Sequence, residues 1–126
     1  MAGYSTQSVA QQVFASIFAV YNQVERYAEE VRNGVWTNKK DWSYTMEPII
    51  NIENQVLGVL GFGKIGKRVA ELGLNFGMEV IAYNKYPERD NESKVRFVDL
   101  DDLFSESDIL SLHVPLNETT RQIVNK

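Results

Sequence analysis

Val56-Leu57-Gly58-Val59-Leu60-Gly61-Phe62-Gly63-Lys64-Ile65-Gly66-Lys67-Arg68-Val69-Ala70 is the stretch that decides the fold. Its apolar start suits a parallel strand covered on both faces. A glycine turn follows, and apolar residues then recur at helical spacing (Ile65, Val69, Leu72, Phe76), with Gly77 as a natural helix stop. G-x-G-x-x-G alone is a weak signal. A strand before it and a helix after it are the context that a phosphate-cradling βα unit requires. In that reading Gly61 permits a tight turn, Gly63 lets a pyrophosphate approach the backbone, and Gly66 lets the helix lie close to the strand. The N–H groups of the helix's first turn, at the positive end of its dipole, then receive the phosphates. The competing reading is a glycine-rich strand-to-helix turn that binds nothing.

Downstream of the turn, strand and helix patterns keep alternating. Met78–Tyr83 is rich in β-formers and reads as a second strand, and residues 85–94 read as a polar loop. Val95–Val98 can form a short third strand. Residues 99–104 suit a brief helix with acids in its first turn. Ile109–Val114 is a fourth strand ending at Pro115, and Glu118–Val124 can start another helix. This alternation predicts an α/β fold with right-handed crossovers: a Rossmann-type parallel sheet, half of a doubly wound domain, with four strands in the order 3-2-1-4. The edge strand 109–112 would then be bare or paired with another molecule.

Upstream, residues 5–33 read as one long helix, capped by Ser5 or Thr6 and stopped by Asn33-Gly34. Val9, Val13, Ile17, Val20, Val24, Tyr27 and Val31 form one stripe, and Ala10, Phe14, Phe18 and Tyr21 a second beside it. Such a helix would be roughly 40 Å long, more than a small domain needs. It either touches two bodies or lies buried in its own domain. Residues 34–54 lose all periodicity yet carry Trp36, Trp42, Tyr44 and Met46. Aromatics in so long a loop suggest an arm that packs on a partner, or else a cover over the domain's own core. The expected division is therefore a helix (5–33) and arm (34–54) for dimerisation, followed by a nucleotide-binding unit (55–126), all within one partial domain spanning 1–126.

Composition narrows the classes. The chain has 126 residues, 44% hydrophobic and 24% charged, with a net charge of −4 and no cysteine. An acidic balance without a basic run argues against nucleic acid. Without cysteines there are neither disulfides nor thiolate metal sites, and no metal is expected. No stretch reads as a signal peptide or a membrane span, so a cytoplasmic protein is the default.

The end of the second strand should carry the group that reads the adenosine ribose. An acid about 20 residues past the glycines would accept both ribose hydroxyls and repel a 2′-phosphate. Asn84 stands there, with Lys85 beside it and Arg89 nearby. NAD is the expected cofactor and NADP stays open. A third possibility is that Asn84 merely ends the strand.

Taken together, these segments resemble the D-isomer-specific 2-hydroxyacid dehydrogenases. Ser8-Val9-Ala10 is similar to that family's S-V-A-E helix, and Gly34-Val35-Trp36 to its G-x-W. Gly61 to Gly66 is similar to its G-x-G-[RK]-I-G, and Phe76-Gly77-Met78 to its F-G-M. Ser111-Leu112-His113-Val114-Pro115-Leu116, with Thr120-Arg121 beyond, is similar to its S-L-H-x-P-L…T-R. The resemblance covers nearly the whole chain in order. It implies that Lys64 and Ile65 contact the pyrophosphate and that Asn84 replaces the usual Asp at the ribose. It further implies that Val114 and Pro115 line the adenine side, that Thr120 lies near the cleft, and that the first helix and arm dimerise.

The family holds substrate with an Arg after the next strand and uses a later Glu and catalytic His. None of these three has a match here, so no catalytic residue is expected. A catalytic domain would flank the segment upstream of Gly3 and downstream of Lys126. His113 belongs to the strand-end motif and is read as structural, since geometry precedes pKa. The expectation is thus the NAD(P)-binding portion of an oxidoreductase that transfers hydride between NAD(H) and a 2-keto acid. Two alternatives remain: a catalytically inert oligomerising piece with little nucleotide binding, and an S-adenosylhomocysteine hydrolase-like nucleotide domain.

Overall fold

The computed structural model describes residues 4–43, 45, 48–86 and 94–125. The continuous helix expected over 5–33 is two helices: α1 (Tyr4–Asn22) and α2 (Val24–Arg32). Gln23 between them sits in the left-handed region at φ 47°, which ends one helix and starts the next. The break falls where α1 runs out of body to pack on. Ala10, Phe14 and Ile17 are buried, whereas Val20 and Val24 are 71% and 66% exposed and α2 buries nothing. The inner face is therefore led by the second of the two stripes, and most of the valine stripe faces outward. Asn33 caps α2 and Gly34, at φ 76°, turns the chain out of it, as the Asn-Gly pair suggested. In the arm that follows, Trp42 is 92% exposed, so it does not cover the core. Tyr44 and Met46 lie outside the described residues.

Strand β1 (Val56–Leu60) is buried from Leu57 onward. It leads through the glycine turn into α3 (Lys64–Asn75), then β2 (Glu79–Tyr83), β3 (Arg96–Phe97), α4 (Leu100–Glu106) and β4 (Ile109–Leu112). All pairings are parallel and the order is β3-β2-β1-β4, as expected. β1 has the expected bounds, and the other three strands are shorter than their sequence patterns. β3 keeps two residues of the expected four, and β4 stops at Leu112 rather than Val114, because only those residues find ladder partners.

The two faces of the sheet bury separate clusters. Leu57, Val59, Val80 and Ala82 point toward α3 and α1. Leu60 and Ile81, one residue out of phase, pack with Leu103 of α4. Asp99 caps α4 by accepting the Asp102 amide at 2.9 Å. Arg96, at the start of β3, pairs with Glu79 of β2 at 3.3 Å and with Glu106 of α4, fastening the short edge strand.

Two expectations about helices need correction. α3 ends at Asn75, and Phe76 is its 45% exposed C-cap rather than a sheet-facing residue. Its ring stacks on Phe14 at 5.3 Å and meets Phe18 edge-on at 5.1 Å, joining α3 to α1. Of the expected stripe, Val69 is buried and Ile65 and Leu72 pack against the core, while Gly66, Ala70 and Gly73 are buried beside them and their small size lets the helix axis approach the sheet. Residues 118–124 form turns, not a helix. Asn117 Oδ1 accepts the Thr119 and Thr120 amides at 3.0 Å each, as an N-cap does, and the Arg121 N–H reaches the Asn117 carbonyl at 2.8 Å, but Gln122 takes φ 56° and ends the turn there.

β4 has no strand on its outer side among the described residues. Along that side runs an open groove of about 660 Å³ between α1 and β4, touched by Ile17, Tyr21, Ile50 and Ile109.

Candidate functional site

The glycine turn lies where the strand order reverses, with β2 on one side of β1 and β4 on the other. In open α/β sheets this is where ligands bind, beyond the carboxyl ends of the strands. Two backbone hydrogen bonds hold the turn. The Gly61 N–H donates to the Tyr83 carbonyl at 3.0 Å, and the His113 N–H donates to the Leu60 carbonyl at 2.7 Å. The ends of β2 and β4 are thereby clamped to the turn.

The three glycines answer to different demands. Gly61 has φ 95°, and a Cβ there would lie 2.7 Å from both the His113 carbonyl oxygen and Val114 Cγ1. A Cβ on Gly66 would lie 2.1 Å from the Gly61 carbonyl oxygen. The fold itself therefore requires these two glycines. Gly63 differs. Its φ of −78° suits any residue, and a Cβ on it would meet no protein atom within 4 Å. Nothing in the fold asks for glycine there.

Gly63 is also the N-cap of α3, and no side chain caps that helix. Ser, Thr, Asp or Asn at that position would satisfy a first-turn amide. Glycine leaves those amides and the positive dipole end to whatever occupies the space outside. A dinucleotide pyrophosphate fits this arrangement: acceptor oxygens, negative charge, and a need for backbone approach without a side chain.

Around the turn, Lys64 is exposed at the helix start. The Ile65 side chain packs on the apolar cluster under α3, so its backbone amide is what it can offer a phosphate. Asn84 follows Tyr83 and is half-buried, and Lys85 is exposed; Arg89 lies outside the described residues. Val114, Pro115 and Thr120 share one loop. Thr120 Oγ1 donates to the Pro115 carbonyl at 2.6 Å, and the Asn117 amide donates to Thr120 Oγ1 at 2.9 Å. The expected site residues thus gather at the carboxyl end of the sheet.

His113 engages Ser111: Nε2 and Oγ lie 2.8 Å apart. Burial pushes its imidazole pKa down. Among the described residues no cluster of His, Asp or Glu could hold a metal ion. Nor is any described helix long and apolar enough to cross a membrane.

Sequence reasoning passed over Phe62. It is 3% exposed, meets Phe97 edge-on at 5.0 Å, and carries the Lys67 ammonium 5.6 Å from its ring centroid. It anchors the turn to β3. An aromatic residue between two turn glycines was the available signal.

Comparison with known proteins agrees with this geometry. A hydroxypyruvate reductase from Thermotoga maritima is 40% identical over 125 residues, which are 98% of this chain and 38% of the relative. A glycerate dehydrogenase related protein from Thermoplasma acidophilum superposes with a TM-score of 0.81 at 32% identity, over 98% of this chain and 41% of that one. An acyclic imino acid reductase, solved in complex with NADPH and D-Arg, gives a TM-score of 0.75 at 37% identity, over 93% and 36%. The chain therefore spans less than half the length of the proteins it matches. The family model for "D-isomer specific 2-hydroxyacid dehydrogenase, NAD binding domain" matches residues 14–126. The chain belongs to that family, through its NAD-binding domain.

Proposed function

We propose that this chain is the dinucleotide-binding part of an oxidoreductase that acts on the CH–OH group of D-2-hydroxy acids. The observation that carries this is Gly63, a glycine that no neighbour in the fold demands. It stands at an uncapped helix N-terminus and at the point where strand order reverses. Family membership supplies the chemical context.

In this reading the amides around Gly61, Gly63, Lys64, Ile65 and Gly66 cradle the pyrophosphate, with the Lys64 ammonium adding charge. Asn84 addresses the adenosine ribose, and Val114, Pro115 and Thr120 form the opposite wall. The bound nicotinamide dinucleotide supplies hydride transfer, to or from a 2-keto or 2-hydroxy acid in the whole protein. The residues of this chain bind and orient it, and none is assigned a catalytic role. The nucleotide unit covers 55–126, and the whole protein works in the cytoplasm.

Calorimetric titration with NADH tests the site. Wild-type chain should bind and Gly63→Val should not, while its thermal unfolding shows that it still folds. Unchanged affinity in a folded Gly63→Val chain would remove the glycine turn from the site.

A second role rests on a separate observation. Val20, Val24, Val31 and Trp42 are all exposed along α1, α2 and the arm over 34–54. Apolar surface of this kind marks a protein partner. We infer a homodimer built through 5–33 and 34–54. Sedimentation should give a dimer that Trp42→Ser together with Val24→Glu converts to monomer; a wild-type monomer at high concentration would dismiss it.

A further inference from the structure

Asn33-Gly34 is the one asparagine–glycine pair in the chain. An asparagine followed by glycine is chemically fragile: the next backbone nitrogen can reach its side-chain carbonyl carbon, and glycine has no Cβ to hinder the attack. Asn33 is exposed, and a Cβ built on Gly34 would come no closer than 3.5 Å to the Thr37 and Asn38 side chains. The attacking nitrogen and water therefore both have room.

The closed helix blocks the reaction. Asn33 has ψ 4°, so the Gly34 nitrogen eclipses the Asn33 nitrogen and not the side chain. Three hydrogen bonds fix this geometry. The Asn33 N–H donates to the Glu29 carbonyl at 2.9 Å, the Gly34 N–H to the Val31 carbonyl at 3.0 Å, and the Val35 N–H to the Glu30 carbonyl at 3.1 Å. All three run back into α2, so they last only as long as α2 does. That helix has nine residues, none of them buried, and starts at Gln23 without a side-chain cap. Isolated helices shorter than about 12–15 residues are marginal in water. The end of α2 can thus open while the sheet stays folded.

We propose that Asn33 is a site of spontaneous covalent modification, gated by the opening of α2. In the open segment the Gly34 nitrogen bonds to Asn33 Cγ. Its proton goes to the departing side-chain amide, which leaves as ammonia. The succinimide ring so formed takes up one water at either carbonyl and opens to aspartate or isoaspartate. Both products add one negative charge to a chain whose net charge is −4. The charge falls at the C-cap of α2, against the negative end of the helix dipole. Isoaspartate also adds a methylene to the main chain and moves the Gly34 N–H away from the Val31 carbonyl. Once it has occurred, the reaction keeps α2 open. It is independent of the nucleotide site.

The test is to age the whole chain at mildly alkaline pH and at low protein concentration, so that no second copy covers α2. Peptide mass spectrometry and enzymatic methylation of isoaspartyl carboxyl groups then follow conversion at each asparagine. Asn33 should convert about tenfold or more faster than Asn38, which is also exposed but precedes a lysine with its Cβ. Glu29→Gly, which weakens the middle of α2, should speed conversion about fourfold and leave thermal unfolding of the sheet unchanged. Asn33→Gln should abolish the signal, since ring closure through the longer side chain is much slower. Aged wild-type chain should lose helical circular dichroism. Conversion at Asn33 no faster than at Asn38 would overturn the site. A rate that Glu29→Gly leaves unchanged would overturn control by α2.

Discussion

Ser111 Oγ and His113 Nε2 lie 2.8 Å apart on the same face of the chain as it leaves β4, and the His113 N–H donates to the Leu60 carbonyl. These two contacts hold the exit of β4 against the glycine turn. Because burial pushes the imidazole pKa down, the fold prefers neutral His113. Below its ordinary value of about 6.5 the unfolded chain binds the proton more readily, so stability rises with pH through that window and falls on acidification. The melting temperature should drop between about pH 7 and pH 5, and His113→Asn should flatten the slope. The Glu106 carboxylate, held below the usual range by its hydrogen bond to Arg96, contributes at lower pH. Its part is present above its ordinary value and lost as pH falls through the depressed one. A slope that His113→Asn leaves untouched would exclude this histidine as its source. Ser111→Ala should cost about 1 kcal/mol in urea unfolding.

The glycines of the turn should separate in stability measurements. Gly66→Ala drives a Cβ to 2.1 Å from a backbone oxygen and should lower stability by about 3 kcal/mol or more. Gly63→Ala meets nothing and should stay within about 1 kcal/mol of wild type. Equal losses in urea unfolding would contradict the assignment of one glycine to the fold and the other to a ligand.

Docking of α1 depends on a small aromatic cluster. Phe14 is 4% exposed and lies 5.3 Å from the Phe76 ring and 6.0 Å from that of Phe18. Phe14→Ala should therefore cost about 3–5 kcal/mol. A loss under about 1 kcal/mol, with helical circular dichroism retained, would mean that α1 does not rely on this contact.

The break between α1 and α2 carries a backbone cost. Gln23 at φ 47° occupies a region that glycine enters freely and β-branched residues avoid. Gln23→Gly should leave stability unchanged or raise it by about 0.5–1 kcal/mol, despite losing the bond from Arg26 to Gln23 Oε1 at 3.0 Å. Gln23→Val should lower it by about 1 kcal/mol or more. Stabilisation by valine would imply one continuous helix.

Much of the fold was readable from local pattern. The apolar run at 56–60, the glycines and the helical spacing after them specify a βα unit, because strand and helix periods differ and only a turn can join them. The alternation that follows specifies a parallel sheet, and its order came out as expected. The motifs also named the family, since their order and spacing are specific even where each is short.

Pattern could not say where elements stop. Residues 5–33 are helical throughout by local preference, and no residue type at Gln23 announces the break; the extent of the packing surface places it. Phe76 keeps the helical period yet turns to α1, because its partners are rings far away in sequence. After Asn117 the expected helix gives way to turns where Gln122 takes φ 56°, a left-handed residue that no local preference for helix announces.

The sequence by itself determined the glycine turn, the alternating α/β order and the family, all of which rest on local spacing. Only the tertiary structure decided what each glycine is for. It set Gly61 and Gly66 against neighbouring backbone and left Gly63 facing open space, and close approach between distant segments has no signature in the residues that are brought together.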